Sequence, residues 1–207
     1  MYQKKINKVN WHSNIIYLFI IIGFSFLIND HFGHKGLMPL DDLQNFNSGY
    51  RILSGDFPFK DYYSISGPIL DLTQALFYKL FGVSWNSLVI HSSFFNCLYA
   101  LSIFFFLKNY NFSNNIALIY SLSGALLMSP TSGNPTVEHH SLILSTISLI
   151  LFIIGSKRKS KPLVFLVPFV LTIAFFIKQV PTAYFIILIS AIYFMQLFGK
   201  IKIKEIF

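Results

Sequence analysis

Five of the chain's eight acidic residues, Asp41, Asp42, Asp56, Asp61 and Asp71, fall within about thirty positions in and just beyond the stretch PLDDLQNFNSGYRILSGDFPFKDYYSISGP. Carboxylates set this densely have two ordinary uses. A partly buried carboxylate with a like-charged neighbour holds its proton more tightly and can exchange it near working pH. Acids are also common at helix N-termini, where they cap free amides, so Asp41 and Asp42 equally suit the start of a helix. The same stretch carries Arg51 and Lys60, which either meet a phosphate or balance the nearby aspartates, and Tyr50, Phe59, Tyr62 and Tyr63, which either stack on a sugar ring or form an interfacial aromatic belt.

The rest of the chain is far more apolar. Of 207 residues, 54% are hydrophobic and only 12% are charged, and the mean hydropathy is +0.60. That leaves too little polar surface to coat a soluble globule. The composition predicts an all-α integral membrane protein. The net charge of +8 comes from clusters beside apolar runs, as expected for membrane-flanking cations, and does not point to nucleic acid as a partner. The one cysteine, Cys97, has no partner for a disulfide or a thiolate metal site.

Residues 9–29 carry no formal charge and follow Lys4, Lys5 and Lys8, which predicts an uncleaved first span with its lysines on the cytoplasmic side. Residues 30–85 then form a long outer loop. Within it, residues 69–82 have about fourteen positions, or about 21 Å of helix, short of the ~30 Å hydrocarbon layer. With Asp71 and Lys79 in it, this segment suits an interfacial helix. Five further spans are expected at about 86–107, 113–129, 138–155, 162–178 and 181–198, giving about six in all in a single membrane domain, 1–207. This arrangement keeps the N-terminal lysines, Lys108, the cluster Lys157 to Lys161 and the basic tail 199–207 on one side. It leaves Asp30, the five loop aspartates and Glu138 on the other.

Two shorter outer loops face the long one. The first, SPTSGNPTVEHH, offers Glu138, His139 and His140, a set without metal-ligand spacing that reads more readily as a loop and helix start, so no metal site is assigned. A divalent metal is compatible with the loop acids but not required by them. The second holds Lys178 and Gln179 at the outer end of a span, where a lysine either meets a lipid phosphate as a point charge or snorkels to the interface.

The outer stretch resembles the first extracytoplasmic loop of polytopic GT-C-type glycosyltransferases, the group that includes protein mannosyltransferases and lipid A aminoarabinose transferases. The matching elements are the pair Asp41 and Asp42, then Gly55, Pro58, Phe59, Asp61 and Tyr62, then Gly67, Pro68 and Ile69, and an amphipathic helix ending at Phe81 and Gly82. The likeness covers about residues 10–110. It implies transfer of a sugar from a polyprenyl-phosphate donor, with membrane lipid and that donor as partners, and a location in the bacterial inner membrane with the acidic loop outside. It further implies Asp41 as the base, Asp42 as the group that tunes it or orients a metal or acceptor, and Asp61 as a carboxylate that contacts the substrate or supports its site. Arg51, Tyr62, Lys178 and Gln179 are expected as substrate contacts from their own types and positions. Family members are longer, so this chain is expected to be an N-terminal part, to work with a second membrane subunit, or to be a relic. A different class remains open: a non-catalytic membrane subunit that binds a lipid carrier or partner protein. A small transporter fits less well, because neither paired halves nor a buried acid in the later spans is visible.

Overall fold

The computed structural model describes residues 11–64, 67–129 and 133–199, the side chains from Asn14 onward. Among these residues there are eight helices: α1 (Trp11–Gly33), α2 (Pro39–Leu53), α3 (Pro68–Phe81), α4 (Trp85–Asn109), α5 (Asn114–Met128), α6 (Val137–Arg158), α7 (Lys161–Phe175) and α8 (Gln179–Leu197). The only pairing of β type among them is an isolated bridge between Pro58 and Tyr62. The chain is an all-helical integral membrane protein, with four helices long and apolar enough to cross a bilayer: α1 from Asn14, α4, α6 and α8. The other two expected spans correspond to α5 and α7. Each has 15 residues, about 22 Å of helix, so neither reaches across ~30 Å of hydrocarbon without thinning or a longer neighbour.

Helices α4, α6 and α8 run one way and α1, α5 and α7 the other, and side-chain contacts identify the two ends of the bundle. At one end Tyr17 of α1 donates to Asn115 of α5, Arg158 of α6 donates to Asn109 of α4 at 2.6 Å, and the Lys157 ammonium lies 3.3 Å from the centre of the Tyr110 ring. At the other end the Trp85 indole donates to the Gly33 carbonyl at 2.7 Å, bringing the finish of α1 to the start of α4. Gly133, in the loop before α6, sits so close to α1 that a Cβ would lie 2.2 Å from the Gly33 nitrogen. Its φ of +66° also favours glycine.

Small residues let α1, α4 and α5 approach: Ala100, Ala117 and Ala125 are fully buried around Ile21 and Phe104. A second cluster, Phe152, Val167, Leu171 and Ile189, joins α6, α7 and α8. Asn29 ties α1, α4 and α5 together. Its amide nitrogen donates to Ser92 at 2.9 Å, and its oxygen accepts from Asn96 at 3.1 Å and Ser129 at 2.9 Å. That satisfaction explains why α1 continues past residue 29, beyond the apolar run that predicts it. Buried in hydrocarbon, an amide without those partners would be costly.

Helices α2 and α3 pack together at the end that holds Gly33, Trp85 and Gly133. Gly49 of α2 lies against α3, where a Cβ would come within 2.6 Å of Gln74. The buried face of α3, with Leu70, Asp71, Gln74, Ala75 and Tyr78, turns toward α2 and α4. Leu72, Leu76 and Leu80 are exposed.

Candidate functional site

Helix α2 begins after Met38 with Pro39 in its first turn, where proline's fixed φ fits and its missing N–H is no loss. Asp42, fully buried, accepts the Met38 backbone N–H at 2.7 Å and the Asn134 side-chain amide at 3.3 Å. It therefore closes the helix start and tethers it to the loop before α6. Asp41, one position earlier and exposed, lines a cavity. Adjacent residues on a helix point about 100° apart, so one aspartate is spent on structure while the other meets the cavity.

The same loop is fixed from the α2 side by Asn45, whose amide donates to the Pro135 carbonyl at 2.7 Å. Thr136 then caps α6, accepting the His139 N–H at 3.3 Å. Lys178 caps α8 through its backbone: its N–H donates to Ala174 at 3.0 Å, and its carbonyl accepts the Thr182 hydroxyl at 3.1 Å. Thr182 in turn accepts from Ser145 of α6 at 3.1 Å. Gly67 secures the remaining edge, its N–H donating to the Ile177 carbonyl at 3.0 Å.

These tethers bring α2, the start of α6 and the α7 to α8 turn around one polar cavity of about 160 Å³, lined by Asp41, Gln44, Asn45, Thr136, Val137, Glu138, Ile177, Lys178 and Gln179. Lys178 pairs with Glu138 across the cavity. The first turns of α2, α6 and α8 all contribute to the lining, so three helix N-termini add positive partial charge to that of the lysine. The cavity thus combines a carboxylate, a cation and several neutral hydrogen-bonding groups. That set can accept a proton from a hydroxyl, hold a phosphate and bind sugar hydroxyls.

Of the residues singled out from the sequence, Asp41, Lys178 and Gln179 line this cavity, with Asp42 directly behind it. Arg51, Asp61 and Tyr62 do not line it; they stabilise the turn after α2. Arg51 pairs with Asp56 at 2.7 Å, donates to the Asp61 carbonyl at 2.9 Å and lies 4.7 Å from the centre of the Tyr62 ring. The Asp61 carboxylate accepts the Phe57 N–H at 2.8 Å. Tyr62 donates to Asp71, which also accepts from Ser64, both at 2.9 Å. Burial pushes the Asp71 carboxyl above its ordinary range, with the two hydroxyl donors pulling the other way. Burial likewise pushes the Tyr62 phenol up, reinforced by Asp71.

Gln44, Asn45, Thr136 and Glu138 complete the lining beyond the residues chosen from sequence. Two of them were within reach of helical spacing, since Gln44 and Asn45 stand three and four positions after Asp41 on one face of α2. His139 and His140 face inward instead. His140 is fully buried, its ring centre 4.7 Å from that of His91, whose Nδ1 meets Gln74 at 2.7 Å. Among the described residues no group of three or more His, Cys, Asp or Glu is arranged to hold a metal ion. No protein-family model, curated protein or solved structure matches the chain.

Proposed function

We propose that the chain is a membrane glycosyltransferase, or the N-terminal part of one, that moves a sugar from a polyprenyl-phosphate donor to a lipid-linked or cell-envelope acceptor at the outer face of the bacterial inner membrane. The observation that carries this reading is the meeting of Asp41, Lys178 and Gln179, from two segments far apart in the chain, in one polar cavity of about 160 Å³. In this reading the Asp41 carboxylate takes the proton of an acceptor hydroxyl. The hydroxyl oxygen bonds to the anomeric carbon as the bond from that carbon to the phosphate oxygen breaks, and the phosphate leaves with the electron pair. Lys178 and the helix N-termini offset the charge that develops on it. Gln44, Asn45 and Gln179 are the amides available to sugar hydroxyls.

The orientation follows from charge. The end bearing Lys108, Lys157 and Arg158 is cytoplasmic by the bias of cytoplasmic loops toward Lys and Arg, which puts α2, α3 and the cavity outside. The test is sugar transfer by membranes containing this chain, supplied with a mixed pool of radiolabelled polyprenyl-phosphate sugars and envelope acceptors, with Asp41→Asn compared at equal expression. Transfer lost in the variant supports the proposal; no transfer by the wild type overturns an enzyme that acts alone.

A second reading has its own observation. Between α6, α7 and α8 lies an apolar cavity of about 700 Å³, lined by Val167, Leu171, Phe175, Phe176, Ile186 and Tyr193 among others, and Phe165 and Phe169 of α7 are exposed beside it. Such a surface suits a non-catalytic subunit that seats a lipid chain or a second membrane protein. Co-purification of a membrane partner with unchanged yield in Asp41→Asn, together with no sugar transfer, would favour it.

A further inference from the structure

We infer that Glu138 is a resident counter-ion, holding Lys178 and giving it up to the phosphate of an incoming ligand, so that the two carboxylates of the cavity have different jobs. The inference rests on the phosphate-binding part of the reading above and names how that phosphate is admitted. Glu138 and Lys178 form an ion pair, and both line the cavity with Asp41. The Glu138 side chain is 59% exposed and that of Lys178 34% exposed, so the pair lies where water screens it and contributes little. A pair this weak is readily exchanged.

Geometry limits the exchange to side chains. The Lys178 backbone is held from both directions, by Ala174 before it and by Thr182 after it, with Thr182 anchored in turn to Ser145. The ammonium is then the mobile part, on four methylenes from a fixed point. Glu138 stands in the first turn of α6, where a carboxylate is favoured by the helix dipole, and a phosphate in the cavity would meet the same field from α2, α6 and α8 together. The ligand's anion replaces one carboxylate at Lys178, and Glu138, already more than half exposed, turns to solvent. Asp41, which pairs with no lysine or arginine among the described residues, stays in place as the proton acceptor.

The experiment measures equilibrium binding of farnesyl phosphate to the purified full chain in nanodiscs, with farnesol as the uncharged control. The wild type is expected to prefer farnesyl phosphate. Glu138→Gln should tighten its binding by up to about fivefold, since the competing pair is gone. Lys178→Gln should remove the preference over farnesol, Lys178→Arg should keep it, and Glu138→Gln with Lys178→Gln should behave as Lys178→Gln alone. Inorganic phosphate that competes at millimolar concentration identifies the free anion as sufficient; failure to compete assigns the lipid headgroup, and either supports the exchange. Glu138→Gln that binds equally or more weakly overturns it, as does a wild type that binds farnesyl phosphate no better than farnesol. Sugar transfer in the same membranes separates the two ideas. Transfer without tightening in Glu138→Gln ends the exchange alone, and tightening without transfer ends only the enzyme that acts alone.

Discussion

The side-chain amide of Asn45, on α2, donates to the carbonyl of Pro135 at 2.7 Å, ninety positions later in the chain. With the bond from Asn134 to Asp42, it sets α2 against the start of α6, where Asp41 and Glu138 line the same cavity. Replacing Asn45 by Ala should remove a net contribution of about 1 kcal/mol and leave a half-buried carbonyl without that donor. The expected result is a modest loss of thermal stability with a larger loss of ligand binding, because the cavity wall slips while the bundle core is untouched. Thermal unfolding in detergent, read beside farnesyl phosphate binding, checks it.

Asp41 and Asp42 should part company when each is changed to alanine. Asp42 is fully buried and accepts the Met38 N–H and the Asn134 amide. Its loss removes both of these bonds at a buried position, a cost of about 1–3 kcal/mol or more, and should appear as lower yield and earlier unfolding. Asp41 is exposed on the cavity wall, so Asp41→Ala should unfold within about 0.5 kcal/mol of wild type while losing sugar transfer. Equal destabilisation by both changes would remove the division of roles argued above.

Much of this architecture is legible in the sequence, and the part that is not has identifiable causes. The apolar runs announce α1, α4, α6 and α8 because a ~30 Å slab demands length, and length is visible in one dimension. Helix α3 is equally plain: it is short, carries Asp71 and Lys79, and follows the Gly67 and Pro68 punctuation. What the sequence does not tell is which aspartate pairs with which cation. Arg51 has Asp56 and Asp61 within ten positions, and a local turn claims it before any distant ligand does. Lys178 finds Glu138 forty positions away, a relation created by helix packing and by no spacing rule.

Asp71 supplies a pH dependence. Burial raises its proton affinity in the folded chain, so the native state binds that proton more tightly than the unfolded chain does. The stabilisation from this linkage is fully present below the ordinary aspartate range and is lost as pH rises through the elevated native value. Asp71→Asn keeps an oxygen acceptor for Tyr62 and Ser64 but cannot ionise. Unfolding temperatures taken from about pH 4 upward should therefore fall less steeply in Asp71→Asn than in the wild type. Parallel curves would show that the carboxyl titrates alike in both states.

Gly67 offers the sharpest test of how the loop before α3 positions the cavity. Its N–H bonds the Ile177 carbonyl at 3.0 Å, and a Cβ at this position would sit 1.6 Å from the Phe176 carbonyl oxygen. Backbone cannot step aside as a flexible side chain can, so Gly67→Ala must push the loop away from the α7 to α8 turn. Overpacking of this kind costs about 1–3 kcal/mol, and here it bears directly on the residue before Lys178. The variant should unfold earlier and bind farnesyl phosphate more weakly, with binding of farnesol less affected because the phosphate meets Lys178. Gly36→Ala is the matched control: nothing lies within 4 Å of its would-be Cβ, and it should change neither property. If Gly67→Ala lowers stability yet leaves the preference for phosphate intact, the loop supports the bundle without setting the lysine, whose position then comes from its own bonds to Ala174 and Thr182.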